Sequence, residues 1–194
     1  MLLRTTCLPE MTTMRNTSAL LFLVLAIIHG VGCSVAKEPL TSEQIRVNWQ
    51  ESSPPPELQR YQTELFNLLS KEPALISDKV MFDSEFHRAW KRLFSGRDEL
   101  EKRLLSGPAG EGQYWVRAGE QVFLYDICEA HHCIETGIHL YFRPSTGAIG
   151  GRLQDQCKVA WLGDVDAEMK RLVEVGFARS IEARKEECAK HGGI

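Results

Sequence analysis

The residues best suited to chemistry form one short segment, which reads Cys128-Glu-Ala-His-His-Cys133. Two cysteines with four residues between them can close a small loop as a disulfide, for which the chain-entropy model gives a stabilisation of roughly 2 kcal/mol. A closed loop presents its side chains with little ordering entropy left to lose on binding. Its two histidines, His131 and His132, can accept, donate or carry a proton near neutral pH. The segment therefore predicts a stiff recognition loop.

Two other interpretations of this segment stay open. A structural disulfide turn with exposed histidines needs no partner. A zinc site formed by Cys128, His131, His132 and Cys133 is the third interpretation, although the segment is short for four tetrahedral ligands and an oxidising compartment favours disulfides. We predict no metal and no cofactor. The sequence has no nucleophile elbow, P-loop or zinc-protease motif, so we predict that the protein is not an enzyme.

The first 36 residues predict export. The apolar run Ala19–Ile28 follows a positively charged start and is too short to span a membrane, as expected of a signal-peptide core. Small residues in Ser34-Val-Ala36 place cleavage before Lys37. A second interpretation cleaves before Cys33 and attaches a lipid there. No apolar run reaches eighteen residues, so we predict no membrane span.

Four cysteines remain after the predicted leader, and an even number in an exported protein suggests disulfides. Four cysteines allow three pairings. The local pair Cys128–Cys133 is favoured, which leaves Cys157 with Cys188. The second bond would join the last strand to the terminal helix.

Composition and charge narrow the class of partner. The chain has 43% apolar and 25% charged residues, as in ordinary globular proteins, and a net charge of -3. The leader contains Arg4, Arg15 and Glu10, so the mature part keeps 21 basic and 25 acidic residues and a net charge of -4. This balance argues against nucleic acid as a partner and can steer the protein toward a basic one.

The rest of the mature chain predicts a linker at 37–56 and one domain over 57–194 that carries the loop. Apolar residues at helical spacing predict helices at 57–71, 85–95 and 97–105. Strands are predicted at 113–117, 121–127, 138–142, 148–153 and 158–162, and a long helix begins near Gly163-Asp164. Short links between successive strands favour an antiparallel sheet flanked by helices, hence an α+β domain with the disulfide-closed loop protruding from it.

The other polar candidates are assigned to the fold. His87 and His139 are expected on helix and strand faces without chemistry, and Trp161 is expected in the core. Asp164 and Asp166 are interpreted as helix caps.

The loop is similar to one in the Ivy family, the inhibitors of vertebrate lysozyme. That family carries Cys-Lys-Pro-His-Asp-Cys between two strands, and residues 128–133 occupy those positions here. The segment Val159-Ala-Trp161-Leu-Gly-Asp-Val-Asp-Ala167 resembles the family's Trp-Leu-Gly-x-x-Asp-Ala entry into the last helix. The strand Gly137–Phe142 and the turn through Gly147–Gly151 keep the family's order and spacing. The resemblance covers roughly residues 80–175.

The resemblance implies a location, a partner and a mechanism. Ivy proteins are exported to the periplasm of Gram-negative bacteria and tend to form dimers. Their disulfide loop enters the lysozyme cleft, where its histidine meets the two catalytic carboxylates. His131 matches that histidine. The resemblance thus predicts a periplasmic inhibitor of c-type lysozyme, or of a related muramidase such as a lytic transglycosylase, with a homodimer as the expected assembly.

Three loop residues differ from the family pattern, since Glu129, Ala130 and His132 stand where Lys, Pro and Asp are usual. A negative charge at Glu129 opposes binding if it faces the carboxylates of an enzyme. Ala130 removes a backbone constraint, and His132 removes an acceptor for loop amides. The alternative hypothesis is a non-inhibitory periplasmic envelope protein that keeps the Ivy-like fold.

Overall fold

The computed structural model describes residues 40–63, 65 and 79–190. The predicted signal peptide, the cleavage site before Lys37 and the lipid site at Cys33 lie outside the described residues, as does much of the helix predicted at 57–71. Within the described ranges, no helix is both long and apolar enough to cross a membrane.

The prediction of a linker at 37–56 is wrong over residues 42–52, because these residues fold onto the domain. Helix α1 spans Ser42–Asn48, and strand β1 spans Gln50–Ser52. β1 pairs through its backbone with residues 114–116 of the central sheet. This segment is therefore an edge of the domain.

Buried side chains hold α1 in place. Ile45 and Trp49 are almost fully buried, and the Trp49 indole N–H donates to Glu168 at 3.0 Å. The helix begins with a capping box in which Thr41 and Gln44 each accept the other's backbone N–H. Burial of two large apolar side chains outweighs the polar composition and nearby prolines that predicted a linker.

Short helices precede the sheet. They are a 3₁₀ helix over Pro56–Tyr61, a second over Val80–Phe82, α2 over Ser84–Leu93 and α3 over Asp98–Leu105. The helices predicted at 85–95 and 97–105 are confirmed with slightly different ends. Asp83 caps α2 by accepting the N–H groups of Glu85 and Phe86, each at 3.0 Å.

Six antiparallel strands form one sheet, and their order in space is their order in the chain. After β1 come β2 (Gln113–Arg117), β3 (Glu120–Cys128), β4 (Gly137–Arg143), β5 (Ala148–Asp155) and β6 (Lys158–Gly163). The α+β class is confirmed, and β1 is the strand that the prediction of about five omitted. Two-residue turns at Ala118-Gly119 and Gln156-Cys157 have positive φ at both positions, as tight hairpins require.

Two helices complete the domain, where one long helix was predicted. α4 spans Ala167–Gly176 and α5 spans Ala178–Lys190. Asp166 caps α4 by accepting the Met169 N–H at 2.7 Å. The two helices meet at Phe177, whose φ of -114° and ψ of 25° interrupt the regular helix.

The sheet is the middle of three layers. α2 and α3 cover one face, where residues such as Phe86, Trp90, Phe123 and Phe142 form an aromatic core. α1 and α4 cover part of the other face with a second apolar core. α5 lies over the remainder of this second face, where it contacts polar side chains of the sheet. The connection between β3 and β4, which contains the disulfide loop, leaves the sheet at the end that α5 covers.

Candidate functional site

The disulfide loop, residues 128–133, closes at the end of β3. Cys128 and Cys133 are bonded, with their Cα atoms 4.7 Å apart, as the favoured pairing predicted. Backbone hydrogen bonds continue the closure: the Glu129 N–H donates to Thr136 O at 3.1 Å, and the Thr136 N–H donates to His132 O at 2.8 Å. The loop is therefore fixed by one covalent link and by its own backbone.

The two histidines lie at the exposed tip of the loop. His131 has a φ of 65°, in the left-handed region, which is uncommon for a residue other than glycine. His132 Nδ1 lies 4.0 Å from a carboxylate oxygen of Glu135. Both imidazoles are exposed. An unusual backbone conformation persists only where the surrounding structure holds it. Such conformations are frequent at functional sites.

Glu129 is turned toward the body of the domain. Arg103 of α3 donates from Nε to Glu129 Oε2 at 2.9 Å, and from Nη2 to Thr136 Oγ1 at 3.0 Å and Asp155 Oδ1 at 2.8 Å. These carboxylates raise the pKa of Arg103 through their hydrogen bonds. Only 19% of the Glu129 side chain is exposed. Glu129 is therefore paired inside the protein with a guanidinium that it shares with Asp155.

The end of α3 also contacts the base of the loop. Ser106 Oγ accepts the Ala130 N–H at 3.3 Å. A Cβ atom at Gly107 would lie 1.9 Å from the carbonyl oxygen of Cys128, so only glycine fits this close approach. The backbone after α3 thus packs directly against the backbone that begins the loop.

The opposite flank of the loop is held by β5, β6 and α5. Gln154 is buried and donates to Ile134 O at 2.6 Å, and the Cys157 N–H donates to Glu135 O at 2.9 Å. The Cys157–Cys188 disulfide is present as predicted and joins the β5–β6 turn to α5. Both disulfides therefore support the same end of the sheet.

A cavity of about 540 Å³ lies beside the loop. Its walls are formed by polar side chains of α3, the β3–β4 connection and the β5–β6 turn, namely Arg103, Glu129, His132, Glu135, Thr136, Gln156 and Cys157. The loop is thus accessible along one side as well as at its tip.

The zinc interpretation of the segment is wrong. The sulfurs of Cys128 and Cys133 are bonded to each other and cannot act as thiolate ligands. Among the residues that the structure describes, no group of three or more His, Cys, Asp and Glu side chains is arranged to hold a metal ion.

The second segment of the resemblance forms β6 and the start of α4. Trp161 is half-buried against the core beneath α4, and Lys170 Nζ lies 5.7 Å from its ring centre. Asp166 is the cap of α4, whereas Asp164 lies in the connection and is not the cap residue. This segment therefore supports the fold and lies outside the loop.

A polar cluster under α5 is the feature that the sequence did not reveal. Ser180 donates to Asp126 at 2.9 Å, and Arg184 Nη2 donates to the same carboxylate at 2.7 Å. His139 lies on a face of strand β4, as expected, and is fully buried there, with Nε2 3.0 Å from Ser180 Oγ. Asp126 and Ser180 also line a second cavity of about 540 Å³.

The ionisation of this cluster follows from burial and from its internal contacts. Burial lowers the pKa of His139, and the nearby Asp126 only partly opposes this effect, so the ring is neutral near pH 7. Burial alone would raise the pKa of Asp126. His139, Arg184 and Ser180 reverse that effect and hold the pKa of Asp126 below its ordinary value.

The cluster does not have the geometry of a hydrolase triad. In a triad one ring nitrogen of the histidine serves the serine and the other serves the carboxylate. Here Nε2 of His139 faces both Ser180 and Asp126, the latter at 3.6 Å. Nδ1 is buried and has no hydrogen-bond partner within the described part of the chain. The cluster holds α5 on the sheet instead.

Comparison with protein-family models, curated proteins and solved structures finds no match to this chain. The Ivy resemblance therefore rests on the loop, on the Trp161 segment, and on the strand and turn between them.

Proposed function

We propose that this protein is an exported inhibitor of c-type lysozyme or of a related muramidase. It acts by inserting the disulfide loop, with His131, into the catalytic cleft of the enzyme. The observation that carries the proposal is a stiff loop that presents an exposed histidine at its tip, with that histidine held in a left-handed backbone conformation. The resemblance of residues 128–133 to the Ivy loop supports the same assignment.

The chemistry of muramidases explains why a histidine suits this role. Most glycoside hydrolases cleave with two carboxyl groups that flank the scissile bond. An imidazole placed between them can hydrogen-bond to both groups while it occupies the position of the sugar. Protonation of His131 inside such a cleft would add a charge-assisted bond. The inhibitor contributes no reacting group of its own.

Preorganisation supports tight binding by such a small contact. The disulfide and the backbone bonds of the loop fix its conformation before it meets an enzyme. Less conformational entropy is then lost on association, which leaves more of the contact energy for affinity. The direction of Glu129 supports the proposal as well, because its carboxylate is paired with Arg103 and is turned away from the tip of the loop.

We propose the periplasm as the location of the protein and a basic muramidase as its target. An inhibitor of cell-wall hydrolysis acts in the periplasm, which agrees with the predicted leader and with disulfides. A net charge of -4 on the mature chain favours encounter with a basic enzyme. A lytic transglycosylase also uses an acidic catalytic residue and is the second target to assay.

The test compares His131→Ala with His132→Ala and His87→Ala in a lysozyme assay, using protein purified with its disulfides formed. Loss of a central contact typically costs about 2 kcal/mol or more, so we expect His131→Ala to weaken inhibition about thirtyfold. His87 is exposed on α2 and serves as the control. The thermal midpoint should stay unchanged in all three variants.

Reduction of the protein is the second arm of this test. Opening the Cys128–Cys133 bond should abolish inhibition, because the loop then loses its covalent closure. Full inhibition by His131→Ala would remove His131 from the mechanism. If the unmodified protein inhibits neither lysozyme nor a lytic transglycosylase, the alternative of a non-inhibitory envelope protein is favoured.

A further inference from the structure

Arg103 connects the two ends of the β3–β4 connection through a single guanidinium. Its Nε donates to Glu129 at the start of the connection, and its Nη2 donates to Thr136 at the end of the connection. The same Nη2 also donates to Asp155 of the neighbouring strand. One side chain of α3 therefore fixes the loop relative to both the helix layer and the sheet.

Because Glu129 is charged, its contact with Arg103 has an electrostatic role as well as a packing role. Glu129 is separated from His131 by one residue, so its charge belongs to the same short loop that would enter an enzyme. Among the described residues, Arg103 is the cation that forms an ion pair with Glu129. A cleft that contains two carboxylates would repel an uncompensated Glu129, and the low dielectric of an interface would strengthen that repulsion.

We propose that Arg103 is a positioning residue for inhibition, which acts by holding the Glu129 carboxylate against α3 in an ion pair and so away from the tip of the loop. This inference rests on the proposed function of the loop. It assigns to α3 a part in recognition although α3 lies behind the loop rather than at its tip. It also explains how a loop with glutamate in place of the family's lysine can still approach an acidic cleft.

The experiment is a double-mutant cycle on inhibition. We expect Arg103→Ala to weaken inhibition about tenfold, which corresponds to about 1.4 kcal/mol. Glu129→Gln alone should stay within about threefold of the native protein, since a neutral side chain needs no counter-ion. The double variant Arg103→Ala/Glu129→Gln should recover most of the loss. Raising the salt concentration should also reduce the deficit of Arg103→Ala, because screening weakens the exposed charge.

Arg171→Ala is the matched control. Arg171 forms an ion pair with Glu174 on α4, away from the loop, at 2.8 Å compared with 2.9 Å for Arg103 and Glu129. It should leave inhibition unchanged. Thermal midpoints of all variants separate loss of fold from loss of recognition.

Two outcomes would overturn the inference. The first is an Arg103→Ala variant that inhibits as strongly as the native protein. The second is a deficit that persists in the double variant, because Arg103 then does not act through Glu129.

If the native protein inhibits no muramidase, the proposed function fails, and the positioning role is read from amide exchange instead. The His132 and Thr136 amides donate within the β3–β4 connection and report its opening. Faster exchange in Arg103→Ala but not in Arg171→Ala would support the positioning role, whereas equal exchange would overturn it.

Discussion

The face of the sheet beneath α2 and α3 is apolar and aromatic, whereas the part of the other face beneath α5 carries polar side chains. On the first face, Phe142 packs against Phe86 and Tyr61 with ring centres 5.0 and 5.4 Å apart. On the second face, Asp126, His139 and Arg152 lie directly opposite one another on successive strands. The two faces of one sheet thus hold their helices by different means.

The apolar face derives its stability from burial and close packing. The free energy of burial does not depend on the direction of individual contacts. On the polar face each buried donor or acceptor needs a hydrogen-bond partner, and some of them have none among the described residues. His139 Nδ1, Arg152 Nη1 and Arg184 Nη1 are buried without a hydrogen-bond partner among the described residues. Buried polar groups without partners cost stability, so this face contributes less to the fold.

The Cys157–Cys188 disulfide compensates where packing is weak. It joins α5 to the β5–β6 turn at the polar face, and the chain-entropy model gives a closed loop of this size about 3.7 kcal/mol. α5 is therefore positioned by specific contacts and a covalent bond, whereas α2 is held by its apolar surface.

The largest effect is expected on the apolar face. Phe142→Ala should lower the free energy of unfolding by about 4 kcal/mol, because it leaves a cavity among packed aromatic rings. Urea denaturation followed by fluorescence measures the change. Val159→Ala is the control, since Val159 is half exposed on the edge strand. A loss below that of the control would mean that the aromatic core does not dominate stability.

A smaller effect is expected on the polar face. Asp126→Asn leaves the guanidinium of Arg184 without its carboxylate, and only 8% of the Arg184 side chain is exposed. Breaking a buried pair costs 3–5 kcal/mol, but the Asp126 side chain is 35% exposed, so we expect about 2 kcal/mol. Glu182→Gln, on the exposed side of α5, should change the free energy of unfolding little. Equal losses in the two variants would contradict a structural role for the cluster.

The smallest effect is a pH dependence that arises from His139. Burial lowers the pKa of folded His139 below 6.5, so the unfolded chain binds a proton first as the pH falls. The free energy of unfolding should therefore decrease as the pH falls below about 6.5 and level off once folded His139 itself is protonated. His139→Phe should flatten this part of the pH profile, whereas His87→Gln should keep it. A second loss, below the ordinary pKa of an aspartate, should follow from the lowered pKa of Asp126.

The loop and most strands could be predicted because their signals are local. The spacing of Cys128 and Cys133 indicates a closed loop by itself, and alternation with turn residues locates the hairpins. The polar cluster could not be found this way, because Asp126, His139 and Ser180 meet only through strand register and the placement of α5. A clue was present in Ile138-His-Leu-Tyr-Phe142, because a nearly continuous apolar run is typical of a strand that is covered on both faces, as β4 is. A histidine in such a strand is buried and needs a partner.

The N-terminal edge was missed for a different reason. β1 consists of Gln, Glu and Ser, all exposed, so it carries no alternation that a sequence pattern could detect. Its place is determined by backbone pairing and by Ile45 and Trp49 on the preceding segment. The direction of Glu129 was equally hidden, because its partner Arg103 is distant in sequence.

The order of the strands has a consequence for how the chain assembles. From β2 to β6 every strand pairs with the next one along the chain, so these contacts are local and favour rapid folding. β1 also pairs with the next strand, but Gln50 and its partner Val116 lie far apart in the chain, so this contact is not local. The edge that β1 completes exists only once β2 has paired with β3. We therefore expect the N-terminal segment to join the sheet after the β2–β6 meander has formed, so that the part of the domain synthesised first is the last to be placed.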